Sequence, residues 1–397
     1  MLLPSSAGPA HVIGLISGTS ADGVDAALCR LACPAPPDGG VLPAGALRVE
    51  TLAARTAPYA PSLRERVLGA AGLRVPELAA LHVELGEVFA DAAAEICRIA
   101  GTPLEVVDLI GSHGQTVWHD PRGLLGGRPA TLQLAQPAVI AARTACDVVA
   151  DFRPSDVALG GEGAPLVPLV DFLLLERPGS RRAVLNLGGI ANVAWLPGTG
   201  RAEDVVAFDT GPGNMLLDGL VRRFELAAEG YDSGGRLAAR GRVGAELLAE
   251  LSAEPFFAEP PPRSTGRELF GQAFAERVAG RGRELGLEPI DVLATATALT
   301  AESAASSILR FGGSPDEVLL CGGGRHNHAL REALWERLPG AALRDTDEEG
   351  IDGDAKEAVA FAVLGYLAAR GIANHLPHTT GASRRTLLGT LVRGRPA

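Results

Sequence analysis

Between residues 14 and 28 the chain reads GLISGTSADGVDAAL, where Gly18 and Gly23, the hydroxyls of Ser17, Thr19 and Ser20, and the carboxylates of Asp22 and Asp25 share a turn between two apolar runs. Glycines free the backbone for positive φ, and successive N–H groups in such a turn cradle an anion. The carboxylates repel phosphate unless a cation intervenes, so the turn also suits a hydrated Mg2+ held by Asp22 through water. A tight hairpin closed by Asx-type bonds is the competing reading of the same residues.

Further polar turns follow apolar runs. In FDTGPGN, Asp209 ends a strand-like run before a glycine turn, where a carboxylate either takes a proton from a nucleophile or caps the turn. In GSHGQT, His113 either titrates or binds a substrate hydroxyl, or is a satisfied structural residue. CGGGRHN, residues 321–327, sits between the strand-like EVLL and a helix, so its flat backbone suits adenine and ribose. The lysine-bearing phosphate loop GxxxxGK[ST] is absent, and Lys356 is the only lysine in the chain. A dinucleotide GxGxxG with its spaced acid, a GxSxG elbow, an HExxH helix and a clustered histidine set are absent too.

These turns need elements to hold them. Residues 11–17, 24–31 and 47–53 read as strands, 60–100 as amphipathic helices, and VVDLIGSHGQTVWH as a strand that gives way to a glycine-bracketed turn. A helix then a strand fit 138–150, and a Gly/Pro-punctuated loop leads into a further helix before residue 176. The apolar strand, glycine turn and second strand at 181–197 echo residues 11–31, which suggests a duplicated α/β fold. A strand and turn at 205–216, helices through 290–311, a strand at EVLL and a helix at 355–370 complete the pattern.

With 397 residues the chain is long for one core and fits two lobes. A net charge of −11 and a pI near 5.3 disfavour nucleic acid and anionic membrane as partners. No Lys or Arg precedes Arg30 and no unbroken apolar run reaches the ~18 residues of a membrane span, so a cytoplasmic location is expected. Five dispersed cysteines point to reduced thiols.

Taken in order, GLISGTSADGVD, GSHGQTVWHDP, TLQLAQPAVIAART, DFRPSDVALGGEGAPLVP, LNLGGIANV, FDTGPGNMLLD, PPRSTGREL, LLCGGGRHN, DAKEAVAFA and LPHTTGAS resemble the anhydro-N-acetylmuramic acid kinase family, within the superfamily of hexokinases, heat-shock ATPases and actin. The resemblance implies two lobes of a duplicated ribonuclease-H-like, actin-like ATPase fold with ATP and sugar in a central cleft. The N-terminal lobe is expected at 1–147 plus 366–397 and the C-terminal lobe at 148–365. It implies hydrolysis of the 1,6-anhydro bond of 1,6-anhydro-N-acetylmuramic acid with transfer of the γ-phosphoryl of ATP to O6, in peptidoglycan recycling.

Carried onto this chain, the resemblance makes Gly18, Thr19, Ser20, Ala21, Asp22, Gly23, Val24 and Asp25 the phosphate turn, with Gly188, Gly189, Gly322, Gly323 and Gly324 also on the nucleotide. It makes Asp209 the base that activates water and Glu357 a second carboxylate near the sugar. His113, Gln115, Thr116, Gly161, Gly163, Asn192, Gly211 and Asn214 would line the sugar site. ATP and Mg2+ are the implied cofactors, a small sugar the implied substrate and a homodimer the implied assembly.

Three positions depart from the family pattern: Ala21 for Leu, Glu162 for Gln and Arg263 for Lys. Glu162 adds negative charge that would weaken ATP binding if it faced the phosphates, and residues 34–45 read as a longer surface loop than the family needs. An ordinary amino-sugar kinase and a non-catalytic nucleotide switch are the alternatives on the same scaffold.

Overall fold

In the computed structural model, residues 9–18, 20–34 and 40–394 are described, so Thr19 and part of the 34–45 loop lie outside the described residues. Two units emerge: residues 1–175, 201–203 and 355–397 form the first, and 176–200 with 204–354 the second.

Near-continuous apolar runs make the central strands of the first unit, because both faces of its sheet are covered. β1 (Ala10–Ser17), β2 (Gly23–Ala32) and β3 (Arg48–Pro58) form an antiparallel meander. β4 (Leu109–Asp120) then runs parallel to β1, and β6 (Val148–Ala150) parallel to β4. β5 (Ala130–Leu134) pairs with the far half of β4, and β12 (Thr390–Val392) covers β6. The helix Val75–Ala100 buries Leu81, Leu85, Phe89, Ala93 and Ile96 at helical spacing and ends on left-handed Gly101.

The helix Lys356–Ala369 lies on the other face, and glycine decides how closely. A Cβ on Gly14 would sit 1.8 Å from the Ala358 carbonyl, and one on Gly111 would sit 2.1 Å from that of Phe361. Gly14 and Gly111 are register partners on β1 and β4, so the helix backbone rests directly on the sheet there.

In the second unit, β7 (Arg182–Leu187), β8 (Ile190–Leu196) and β9 (Val206–Pro212) repeat the meander. β10 (Glu317–Cys321) lies parallel to β7, and β11 (Ala342–Asp345) parallel to β10. The spatial order β11-β10-β7-β8-β9 matches β6-β4-β1-β2-β3 strand for strand, so the chain contains the same ribonuclease-H-like sheet twice. The helix Pro289–Phe311 is long and apolar enough to cross a membrane, but 83% of its most apolar stretch is buried inside the fold. None of the five cysteines, all among the described residues, forms a disulfide.

Two expectations change. The units divide after Leu175 and after Asp354 rather than at 147 and 365, because β6 pairs with β4 and the helix from Lys356 packs on β1, β2 and β4. GSHGQT is no turn: β4 continues through it with a bulge at Gly114, whose φ is +77° and where a Cβ would meet the Leu134 carbonyl at 2.5 Å.

Candidate active site

At the end of β1, Ser17 Oγ lies 2.6 Å from both the Gly23 carbonyl and Gln115 Oε1. Gln115 Nε2 donates to the Gly18 carbonyl at 3.1 Å, so β4 braces the 18–22 turn. Gln115 is fully buried and its amide is spent on this brace. Among the described residues of the turn, the left-handed one is Ala21, at φ +53°, rather than Gly18 or Gly23. Its N–H donates to the Gly18 carbonyl, and its methyl is wholly buried. Gly23 is needed for a different reason, since a Cβ there would lie 2.2 Å from the Ala57 carbonyl of β3. The side chain of Val24 belongs to the core.

The turn's acids have protein partners. Arg64, on the helix Pro61–Leu68, donates to Asp22 Oδ1 at 3.2 Å and to the Ser20 carbonyl at 3.1 Å. It brings positive charge to a turn that has no lysine, and the sequence reading missed it. Asp25 accepts from Thr56 Oγ1 at 2.5 Å. Among the described residues, no three His, Cys, Asp or Glu side chains cluster in a way that would hold a metal.

Further along β4, His113 is buried, with Nδ1 2.9 Å from the Gly114 carbonyl and Nε2 accepting from Arg153 Nε at 2.8 Å. Burial first and Arg153 second hold its pKa well below the usual histidine value. It is therefore a neutral acceptor that orients Arg153, not a titrating group. Arg153 also donates to the Gly163 carbonyl, while the Gly163 N–H donates to buried Asp156, so the Gly161–Gly163 loop is held from both sides. The Gly161 N–H donates to the Asp156 carbonyl. Thr116 Oγ1 accepts from Gln133 Nε2 at 3.3 Å.

His119, 3.0 Å from Thr131 Oγ1, is pushed down to about 4 by burial and then by Arg153. A histidine depressed in the folded state contributes its full stability above pH 6.5, the unfolded value, and loses it as the pH falls toward 4. Thermal melts between pH 7 and 4 are expected to show a decline that His119→Gln flattens by roughly 3 kcal/mol. An unchanged slope in that variant would remove His119 as the cause.

The helix Lys356–Ala369 fixes Glu357. As its contacts pass from Phe361 to Gly365 they pass from Gly111 back toward Leu109, so its N-terminus lies toward the carboxyl ends of β1 and β4. The His113 and Phe361 rings, 4.6 Å apart, lie toward the same end. Glu357 in the first helical turn therefore shares that end of the sheet with the 18–22 turn.

In the second unit a polar row crosses the sheet. Cys321 of β10 is paired with Asn186 of β7, Asn186 with Asn192 of β8, and Asn192 with Asp209 of β9. Cross-strand partners project from the same face, so the expected base and the expected sugar contact Asn192 stand side by side. Asp209 lies inside β9, not at its end, and a bulge opposite Ala191 and Asn192 sets its register. Its Oδ2 accepts from the Thr265 N–H at 2.8 Å, and its backbone is tied both ways to Arg263.

The glycine turns of this unit converge on one another. The Gly188 and Gly189 carbonyls accept from the N–H groups of Asn214 and Gly213, and Asn214 Nδ2 donates to the Leu187 carbonyl at 3.1 Å. Asn214 thus locks two turns together. Gly322, at φ +76°, and Gly324 both lie against Leu187, where a Cβ would clash. Gly323 stands beside Asn214 with only its Nδ2 nearby, at 3.7 Å from a built Cβ. The Asn327 side chain caps the helix His328–Arg337, so that N-terminus is already occupied. At Gly211, φ is +145° and a Cβ would meet the Phe257 ring at 2.7 Å, so this glycine serves packing.

With this arrangement in place, the family model for anhydro-N-acetylmuramic acid kinase matches residues 10–394. The chain belongs to the anhydro-N-acetylmuramic acid kinase family. A relative of that name from Gloeobacter violaceus is 45% identical over 385 residues, spanning 96% of this chain and 98% of its own. Another from Cyanothece sp. is 44% identical over 390 residues, 96% of this chain and 99% of its own. By family, the protein is an enzyme of the phosphotransferase class.

The two charged departures from the kinase family pattern are accommodated locally. Glu162 accepts from Arg122 Nε at 2.8 Å, so the added charge comes with a counter-charge. Arg263 is buried among Phe208, Phe256 and Phe311. It donates to the carbonyls of Asp209, Phe256, Phe257 and Glu259 and to Ser307 Oγ. Burial lowers its pKa to about 10, still charged at neutral pH. Arg263→Ala is expected to cost about 3 kcal/mol or more, since it strands those carbonyls without a donor. Arg263→Lys should fall between, because one ammonium cannot span carbonyls and Ser307 together. Denaturant midpoints of the intact chain check both; wild-type stability in Arg263→Ala would refute the clamp.

Proposed function

We propose that the protein is an ATP-dependent kinase that opens the 1,6-anhydro bond of 1,6-anhydro-N-acetylmuramic acid and phosphorylates O6, yielding N-acetylmuramic acid 6-phosphate and ADP in peptidoglycan recycling. The observation that carries this reading is Asp209. In a chain of this family, its carboxylate stands at the end of the Asn186–Asn192–Asp209 row with one oxygen held by the Thr265 N–H.

In the proposed reaction, water attacks the anomeric carbon and gives its proton to the Asp209 carboxylate. The bond from that carbon to O6 breaks as O6 bonds to the γ-phosphorus, and the bridging oxygen leaves with ADP. The departing O6 needs no acid, because phosphorus captures it. Such transfers depend on positioning and charge stabilisation, which suits a site of backbone amides and arginine. Asp22, 65% exposed and held by Arg64 at one oxygen, fits Mg2+ through intervening water better than direct ligation. Mg2+, when bound, would offset the triphosphate charge.

The test is incubation with MgATP and the anhydro sugar in 18O-water, read by mass spectrometry. A phosphorylated sugar with one 18O at the anomeric position is expected. Phosphorylation without 18O would make this an ordinary amino-sugar kinase, and ATP binding with no product would make it a nucleotide switch.

A further inference from the structure

The helix that carries Glu357 begins on a buried ion pair. Lys356 Nζ lies 2.5 Å from Asp171 Oδ1, and both side chains are buried, at 7% and 6% exposure. Of the 36 lysine and arginine side chains in the chain, this is the single lysine. A compact ammonium fits a closed space where the planar fork of arginine does not, which explains why a chain otherwise written in arginine keeps lysine here. Asp171 stands on the helix Pro168–Leu175, which follows the loop carrying Gly161 and Gly163. The pair therefore joins the helix after that loop to the first turn of the helix that carries Glu357.

We propose that the Lys356–Asp171 ion pair is a positioning device that fixes Glu357 for catalysis rather than a contributor to stability. This rests on the catalytic reading of Glu357. A buried pair is a poor source of stability, because desolvating two charges offsets their attraction, and replacing both by apolar groups is often neutral. Burial does raise the pKa of Asp171, and Lys356 opposes that rise. What the pair supplies is direction: a charged contact at one point of the helix surface sets the rotation of its first turn, where apolar contacts tolerate several.

The experiment compares Lys356→Arg, Lys356→Met, the double variant Lys356→Met with Asp171→Leu, and Glu357→Gln, all in the full chain. Lys356→Met alone leaves a buried carboxylate unpaired and is expected to lower the melting temperature. The double variant should recover it, while kcat stays at least about tenfold below wild type and KM for ATP stays within about twofold. Lys356→Arg, with charge kept and shape changed, should also lose kcat. A double variant with wild-type kcat, beside a Glu357→Gln that has lost it, overturns the positioning role. Wild-type kcat in Glu357→Gln overturns the reading of Glu357 itself, and with it the role of the pair, so the two failures are told apart.

Discussion

Asp209→Asn is expected to lower kcat by about 10^2- to 10^4-fold, the contribution of a positioned general base, while the melting temperature moves by no more than about 2 °C. The separation of effects follows from how the residue is held. Its backbone N–H and carbonyl are tied to Arg263, and neither bond involves the side chain. The amide oxygen of asparagine can still accept from the Thr265 N–H, so that bond survives the change. What disappears is the ability to take a proton from water. Steady-state kinetics with the anhydro sugar, paired with ATP titration of the variant, checks this: binding should persist while turnover collapses. Turnover within threefold of wild type would take the base away from Asp209.

A large structural effect is also expected at Gly14. In Gly14→Ala the new methyl would lie 1.8 Å from the Ala358 carbonyl and 2.6 Å from the Ala362 nitrogen. Both are backbone atoms of a helix whose other contacts are buried, so no side-chain rotation relieves the clash. The whole helix must lift from β1 and β4. Overpacking of this kind costs about 3 kcal/mol, at the upper end of its usual range. That corresponds to a fall of roughly 6–12 °C in melting temperature for a unit of this size. Activity should fall too, because the helix that lifts carries Glu357. Gly72→Ala is the control, since its Cβ meets nothing within 4 Å and its backbone is not left-handed, and its stability should match wild type. A Gly14→Ala variant with unchanged melting would mean that the helix does not sit as closely as described.

Much of the architecture was legible in the residues. The apolar runs at 11–17 and 24–31 and their echo at 181–197 are the hairpins β1–β2 and β7–β8, and that echo is the visible trace of the duplicated sheet. Strand periodicity is a local property, so it survives without knowledge of the rest of the chain. Local patterns failed where glycine's role was set by a distant neighbour. The glycines of GSHGQT looked like turn punctuation, yet Gly111 faces Phe361 of a helix far along the chain and Gly114 makes a bulge. Gly23 looked like a phosphate contact and is a close strand crossing.

For the site, residue types put Asp209 and the glycine turns in the frame, and the resemblance of the ordered motifs to one family added Asn192. They could not say which polar side chains are consumed internally. Gln115, His113 and Asn214 carry the chemistry of sugar contacts, but their hydrogen bonds go to the protein. Arg64, Arg153 and Asp171 escaped notice because each acts on a residue far along the chain. The sequence by itself determined the strands, the duplicated plan and the likeness of the motifs, because these depend on side-chain type at short spacing. Only the tertiary structure decided which donors and acceptors are already satisfied and which glycines are there for close packing, because both depend on what long-range strand pairing and helix packing bring alongside.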